Sequence, residues 1–548
     1  MKKLLAAFVV LAALVAVGSA SADPLRYGAA DDWPKFHPCG DVWWTSAKDI
    51  GYQDLRMTVQ WDAASPTVIP FQSNLKMAVD CAKLNNIRPI LAIYPAKPSA
   101  IGSSDGAQSA FASFVGLVGQ AFPDVKDFIV GNEPNVNRFW QPQYANGQDA
   151  AATDYEHTLA KSYDALKVAR PDSIVWGPAI SSRGNDDANA ASNPSHSPVW
   201  FIKYMGDAYR ASGRTSKIFD EFSMHPYPPI QDTDPFSKAF QWPQAGAANL
   251  DRIKQALWDA FHGTGQPTVT EQPGGKIAVF AAPQALPINL DEAGEQTVVT
   301  GHEAAYDGTT ENVVPISEAQ QSTNHVELAE IAACDPAVKA LLYFPLIDDT
   351  GISTGFQSGN LFADFAKKQS YTGVKNKIAS AKGLCQGGVS GVSQSWSHTE
   401  KVIGAADIFG GPGTDPGSQP ADKPGNTQYW AFSVTANEDA TYKATLSSVS
   451  ATGATPKGML TAVGNLNAYF KPLVKFNGQT LPVGVYRYAI TLAAATNPQR
   501  TTTLTSKPFK VGTEGASKGK GKGKATGAGK SKGKPAPKPK KPKRPKKP

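Results

Sequence analysis

The chain has 548 residues, too many for one ordinary domain and enough for a large barrel with a smaller module. Its net charge of +7 is unevenly distributed. The segment from Glu514 onward holds thirteen Lys, one Arg and one Glu, whereas residues 1–513 hold 40 basic and 46 acidic residues. The four cysteines match no zinc spacing and no histidine cluster accompanies them, so we expect neither a metal nor a cofactor.

The first residues have the pattern of an export signal. Lys2 and Lys3 precede an apolar run from Leu4 to Val17, and a small-residue cleavage site lies at 20–22. No run reaches the ~20 residues of a membrane-spanning helix, so we expect a mature protein that begins near Asp23 and works outside the cytoplasm. A retained amino-terminal anchor is the alternative. Such a compartment favours disulfides, and the simplest of three pairings joins neighbours in sequence, Cys39 with Cys81 and Cys334 with Cys385.

Residues 23–387 alternate short apolar runs with helical patterns, which indicates an α/β fold, a (β/α)8 TIM barrel. The first five predicted strands are Tyr27–Ala30, Leu55–Trp61, Pro89–Tyr94, Phe128–Val130 and Ser173–Trp176. Helices are predicted over 75–84, 107–122 and 154–169.

The sixth strand is predicted over Ile218–Met224, and a helix follows over 250–261. Two segments compete for the seventh strand, Thr268–Glu271 and Pro287–Glu292. A helix over 326–333 then leads to an eighth strand at Ala340–Phe344.

After Gly387 the composition changes to Gly, Ser, Thr and Pro with short runs of β-formers. This texture predicts an immunoglobulin-like β-sandwich over 388–513, with strands at 429–435, 441–446, 485–492 and 501–511. Residues 514–548 contain no aromatic or large aliphatic side chain, so we expect a disordered basic tail.

One motif carries the chemistry. Glu133 lies in Gly131-Asn132-Glu133-Pro134-Asn135, directly after the predicted fourth strand. In a barrel of this type, active sites form at the carboxyl ends of the strands. A glutamate there can transfer a proton while the neighbouring amide binds a sugar hydroxyl. The alternative is a helix-capping loop.

With this motif, the chain resembles the secreted retaining glycoside hydrolases of the (β/α)8-barrel clan that includes cellulases and related β-glycanases. The resemblance covers roughly residues 25–387. It implies that Glu133 is the acid/base and that the nucleophile is a glutamate ending the seventh strand. We assign Glu292, because its strand is apolar and ends in a Glu-x-Gly pattern. Glu271 is the alternative, although it would leave a connection of over fifty residues.

The resemblance assigns supporting roles to Arg56, which would keep the nucleophile ionised, to His225 and Tyr227, and to Asn132, which would bind a sugar hydroxyl. Asp291, beside the proposed nucleophile, is expected to point to the opposite side of the strand. The mechanism would be retaining if the two carboxyl groups lie ~5–5.5 Å apart and inverting at ~6.5–9.5 Å.

The chain departs from the clan at the eighth strand, where a tryptophan is common and Tyr343-Phe344 stand here. Four tryptophans are candidate sugar-stacking surfaces, although core packing is the more common role of isolated tryptophans: Trp43, Trp44, Trp61 and Trp140.

The predicted function is a secreted glycosidase acting on a poly- or oligosaccharide. The alternative is a non-catalytic glycan-binding protein of the cell surface, with the basic tail as its attachment to an anionic polymer. The tail lacks aromatic residues that would stack on bases, so specific nucleic-acid binding is not expected.

Overall fold

The computed structural model describes residues 24–237, 240, 243–269, 286–309, 311 and 313–386, together with the strands and a few adjoining residues of the carboxy-terminal part between 404 and 511. The predicted signal peptide, the predicted basic tail and Glu271 lie outside the described residues. No helix among the described residues is long and apolar enough to cross a membrane.

Eight parallel strands form a closed barrel, as the sequence predicts. Each strand pairs with its neighbours in chain order, and the first pairs with the last. The strands are β1 (Arg26–Ala30), β2 (Asp54–Trp61), β3 (Arg88–Pro95), β4 (Asp127–Val130), β5 (Ile174–Ser181), β6 (Glu221–His225), β7 (Ile288–Ala293) and β8 (Val338–Tyr343).

One helix follows each barrel strand. The helices are α1 (Val42–Ile50), α2 (Gln72–Leu84), α3 (Asp105–Ala121), α4 (Ala151–Ala169), α5 (Pro198–Ser212), α6 (Leu250–Phe261), α7 (Glu318–Cys334) and α8 (Gln369–Ala381). The predicted bounds of α6 are those observed, whereas α1, α5 and α8 have no counterpart in the sequence prediction. Side chains cap several amino-terminal ends: Asp41 accepts a hydrogen bond from the amide of Trp43 in α1, and Ser104 caps α3 in the same way.

The alternation of side chains along the strands divides the core in two. Ile90 and Ala92 of β3 point into the barrel, where they pack with Ile129, Trp176 and Leu342. The residues between them, such as Leu91 and Ile93, belong to the larger core beneath the helices. Since successive side chains alternate between two faces and both faces are buried, these strands appear in the sequence as continuous apolar runs.

The seventh strand is the second of the two predicted candidates. β7 pairs with β6 and β8, whereas Thr268 and Val269 of the other candidate are not in a strand. The pairing with β8 is irregular: Leu290 faces Leu341 and Ala293 faces Tyr343, so β7 contains one extra residue over this stretch. This bulge coincides with Asp291 and Glu292.

The described strands of the carboxy-terminal part form antiparallel sheets, as predicted in outline. One sheet joins Gly404–Asp407, Trp430–Ala436 and Leu473–Phe476; the other joins Ala440–Ser448, Lys457–Leu466, Gly484–Ala494, Thr501–Thr505 and Phe509–Val511. Phe476 of the first sheet stacks on Tyr488 of the second within a shared apolar core. Both predicted disulfide pairings are present, Cys39–Cys81 and Cys334–Cys385.

Candidate active site

The residues singled out in the sequence meet at the carboxyl end of the barrel. Asn132 and Glu133 follow β4, Glu292 lies near the end of β7, and Arg56 lies on β2. His225 ends β6, and Tyr227 follows two residues later. Hydrogen bonds and ion pairs connect all six residues into one cluster.

Glu292 is held by two donors, one within β2 and one in the segment just after β6. Nη1 of Arg56 lies 2.8 Å from Oε2, and the hydroxyl of Tyr227 donates to Oε1 at 2.9 Å. Burial alone would raise the pKa of Glu292. The charges of His225 and Arg56 and the Tyr227 hydroxyl outweigh that effect and bring the pKa below its usual value. Glu292 is therefore fixed in orientation and held as the anion.

Glu133 lies on a constrained backbone. Its φ of +41° is in the left-handed region, which is unfavourable for a side chain of this kind. Gly131 has φ +104°, and a Cβ at this position would lie 2.9 Å from the ring of Tyr155. The Glu133 amide donates to the carbonyl of Ala179 at 2.9 Å, which ties the turn to β5. The motif thus sets the direction in which the carboxyl group leaves the strand.

His225 bridges the two glutamates. Its Nδ1 lies 3.0 Å from Oε1 of Glu133, while its Nε2 lies 3.6 Å from Oε2 of Glu292 and 3.5 Å from Oδ2 of Asp291. The ring is fully buried, which disfavours its charged form. The neighbouring charges of Glu292 and Asp291 prevail and raise the pKa of His225 to about 10. The imidazolium therefore adds a positive charge between the carboxylates.

Asp291 corrects one expectation. Its side chain does not turn away from the site: it is buried, with Oδ2 3.4 Å from Nε of Arg56 and near His225. Strict alternation along β7 would send adjacent residues to opposite faces, but the bulge breaks that alternation. Two consecutive carboxylates consequently reach the same pair of cations.

Asn132 completes the cluster. Its Oδ1 accepts a hydrogen bond from Nη2 of Arg56 at 2.6 Å. The two terminal nitrogens of the Arg56 guanidinium thus bind the side chains of Glu292 on β7 and Asn132 after β4. With its oxygen engaged, Asn132 has the amide nitrogen available as a donor.

A cleft of about 600 Å³, here called the central cleft, opens above this cluster. Its walls contain both glutamates and an aromatic set: Trp33, Tyr94, Phe139, Tyr227, Phe344 and Phe356. The four tryptophans considered above are core residues instead, each at most 2% exposed. Phe344 directly follows β8, at the position where the resemblance leads to the expectation of a tryptophan. Trp33 was not among the predicted site residues. The only feature of the sequence that could have indicated it is its position shortly after the first strand.

Among the described residues, one group has the spacing of metal ligands, Glu330 with Cys334 and Cys385, and its two sulfurs are joined in a disulfide.

No family model and no curated protein sequence matches the chain. Several solved structures are similar in overall shape. A family 39 glycoside hydrolase from Bacteroides cellulosilyticus is 14% identical with a TM-score of 0.46, over 83% of this chain and 81% of that one. A glucosidase from Croceicoccus marinus is 10% identical with a TM-score of 0.41, over 85% and 97%. A β-glucuronidase from Bacteroides uniformis is 10% identical with a TM-score of 0.40, over 90% and 46%, so the chain spans about half of that protein.

Proposed function

We propose that the protein is a secreted glycoside hydrolase that cleaves O-glycosidic bonds of a poly- or oligosaccharide with retention of configuration. The observation that supports this proposal is that two carboxylates in one cleft have different surroundings. Glu292 is held by Arg56 and Tyr227, whereas Glu133 contacts His225 from a strained turn. Retaining glycosidases need such a pair, one nucleophile and one proton donor.

In the proposed reaction, Glu292 attacks the anomeric carbon while Glu133 donates its proton to the departing oxygen. The glycosidic bond breaks, and an ester forms between Glu292 and the sugar. Glu133, now a carboxylate, takes a proton from water, whose oxygen attacks the anomeric carbon and releases Glu292. The amide nitrogen of Asn132 donates to the sugar hydroxyl next to the anomeric carbon, and Arg56 and Tyr227 stabilise Glu292 whenever it is anionic.

The remaining segments of the chain are assigned in line with this role. We assign residues 1–22 to a signal peptide, 23–387 to the catalytic barrel, 388–513 to a sandwich module and 514–548 to a basic tail. The two disulfides are compatible with export. The tail would hold the enzyme to an anionic polymer of the cell surface.

A screen of the mature protein on a polysaccharide panel tests the proposal, with Glu303→Gln as a surface control. The Glu292→Gln and Glu133→Gln variants should lose the activity that wild type and control share. The product released first should have the configuration of the substrate, which proton NMR of the anomeric signals reports. Glycan binding without release of reducing ends by the wild type would instead establish a non-catalytic binding protein.

A further inference from the structure

A lysine is buried behind one wall of the central cleft. Lys368 directly precedes α8, its side chain is fully buried, and the proposed reaction does not use it. Its ammonium nitrogen lies 2.7 Å from Oγ1 of Thr297 and 2.8 Å from the carbonyl oxygen of Gln357. The same nitrogen lies 2.8 and 2.7 Å from Oδ1 and Oδ2 of Asp348. The three protons of the ammonium group therefore all have acceptors within the protein.

The acceptors of this lysine come from two segments of the chain. Thr297 lies after β7, whereas Asp348 and Gln357 lie after β8. Asp348 extends the connection. Its Oδ2 accepts a hydrogen bond from the hydroxyl of Tyr306, also after β7, and its Oδ1 accepts one from the amide of Gly359, both at 2.7 Å. One buried ion pair thus joins the segments after β7 and β8 at several points.

Each residue that Lys368 binds is next in sequence to residues that line the central cleft. The three bound residues are at most 2% exposed. Their neighbours in the cleft wall are Gln296 beside Thr297, Ile347 and Asp349 beside Asp348, and Phe356 and Ser358 beside Gln357. The lysine therefore holds the back of a wall whose front faces the cavity.

The same wall contains two aromatic rings. Phe356 packs edge-on against Phe344 with ring centroids 5.0 Å apart. The amide of Phe356 donates to Oδ2 of Asp349 at 2.9 Å, and the amide of Asp349 donates to the carbonyl of Phe356 at 3.0 Å. The next residue, Gln357, supplies the carbonyl that Lys368 binds. A displacement of the ammonium group would consequently reach the Phe356 ring through one peptide unit.

Stability alone does not explain such an ion pair. Charges taken out of water lose their hydration, and apolar side chains of similar volume often give equal or greater stability. What a charged pair adds is fixed geometry, because its hydrogen bonds have preferred lengths and directions. We propose that Lys368 is a positioning residue, which together with Asp348 fixes the wall formed by the segments after β7 and β8 and so sets how tightly the substrate is bound. This inference rests on the proposed function.

The test removes the ion pair without leaving a buried charge. Lys368→Met combined with Asp348→Asn deletes both charges and retains an oxygen that can accept from Gly359. The matched control is the ion pair of Lys254 and Asp335, which is nearly as buried and has Nζ 2.7 Å from both carboxylate oxygens. Asp335 precedes β8, so this pair lies at the amino end of the barrel, away from the cleft.

The two double variants should differ in KM. Lys368→Met/Asp348→Asn should raise KM for the glycan about tenfold or more and change kcat less than about threefold, because the wall contributes to binding and not to the chemical step. Lys254→Met/Asp335→Asn should leave both parameters within about twofold of wild type, whatever urea titrations show for its stability. An unchanged KM in the first variant, or an equal rise in the control, would overturn the proposal.

Amide hydrogen exchange tests the position of the wall without any substrate. Peptides from 294–300 and 346–361 should exchange faster in the Lys368→Met/Asp348→Asn protein than in wild type and control, and peptides of the barrel strands should not. If that protein does not fold, Thr297→Val removes one acceptor and should give the same pattern on a smaller scale. Unchanged exchange in these peptides would overturn the positioning role. A wild type that hydrolyses no glycan would refute the proposed function, and the exchange data would still decide whether Lys368 holds the wall.

Discussion

Glu133 and Glu292 face the same cleft, but their surroundings differ. Glu292 receives a guanidinium and a phenol hydroxyl at 2.8 and 2.9 Å on a bulged strand. Among the described residues, Glu133 has one side-chain hydrogen bond, with His225, and its backbone φ is positive. The donors around Glu292 stabilise its anion. At Glu133, a strained backbone orients the carboxyl group.

This contrast shows how one residue type performs two tasks. A nucleophile must remain ionised, so it gains from nearby cations. A group that gives and then takes back a proton gains from fewer charge-stabilising contacts, because both protonation states must be accessible. His225 contacts both glutamates, so a change in the charge of one affects the surroundings of the other.

The largest predicted effect is the loss of activity on replacing either glutamate, and its dependence on the leaving group of the substrate distinguishes their roles. Glu292→Gln should lower kcat by about 10⁴-fold or more on every substrate, since no ester can form. Glu133→Gln should cost about 10²–10⁴-fold on a natural glycan but little in the first step on a dinitrophenyl glycoside, which needs no proton. Burst kinetics measure this difference. Equal losses on both substrates for the two variants would contradict the division of roles.

The next prediction concerns the guanidinium. Arg56→Gln removes the positive charge beside Glu292, so the pKa of Glu292 should rise and the acidic limb of the kcat/KM profile should move to higher pH, with a loss of about 10²–10³-fold. Arg56→Lys retains the charge but loses the fork to Asn132, so it should lose activity with a smaller pH displacement. Identical profiles for the two variants would show that Arg56 acts by packing rather than charge.

His225 should make stability depend on pH. Its pKa is raised from 6.5 to about 10 in the folded protein, so its stabilising contribution is full below pH 6.5 and is lost as the pH rises through 10. The difference in unfolding free energy between wild type and His225→Gln should therefore shrink, by a few kcal/mol at most, between pH 6 and pH 10. Urea titrations across that range measure it. A constant difference would mean that His225 is neutral in the fold.

The smallest effect on catalysis is expected from the basic segment. Truncation after Thr513 should leave kcat and KM on a soluble oligosaccharide as in the full chain, because the proposed site lies wholly within the barrel. The truncated protein should lose salt-sensitive retention on an anionic matrix. Altered kcat after truncation would place the segment in or near the cleft.

Much of the barrel was predictable because its signals are local. Strands buried on both faces are short apolar runs, and α6 is a strongly amphipathic helix whose bounds are those predicted. Three helices have no counterpart in the prediction, α8 among them. Of the others, α1 has only nine residues, and α5 is rich in aromatic residues that are weak helix formers. The seventh strand is ambiguous in the sequence, because only pairing with β6 and β8 distinguishes the two candidate segments.

The candidate site was partly predictable for a related reason. Five of the six site residues lie at or just after strand ends, and a barrel brings strand ends together: Asn132, Glu133, His225, Tyr227 and Glu292. Arg56 lies within β2 and was assigned through the resemblance. Asp291 was assigned to the wrong side because a bulge is a property of pairing, which one strand's sequence does not contain. The aromatic wall with Trp33 and the burial of Trp43 and Trp61 likewise depend on how loops and helices fold over the barrel.

The central claim is that Glu292 is a covalent nucleophile, and trapping with activated 2-deoxy-2-fluoro glycosides tests it most directly. Fluorine slows both steps, and a good leaving group allows the first to proceed, so the ester accumulates. Digestion and mass spectrometry should find the sugar on the peptide that contains Glu292, and none on the Glu292→Gln protein. A sugar attached to the peptide with Glu271, or turnover with inversion and no adduct, would contradict the account.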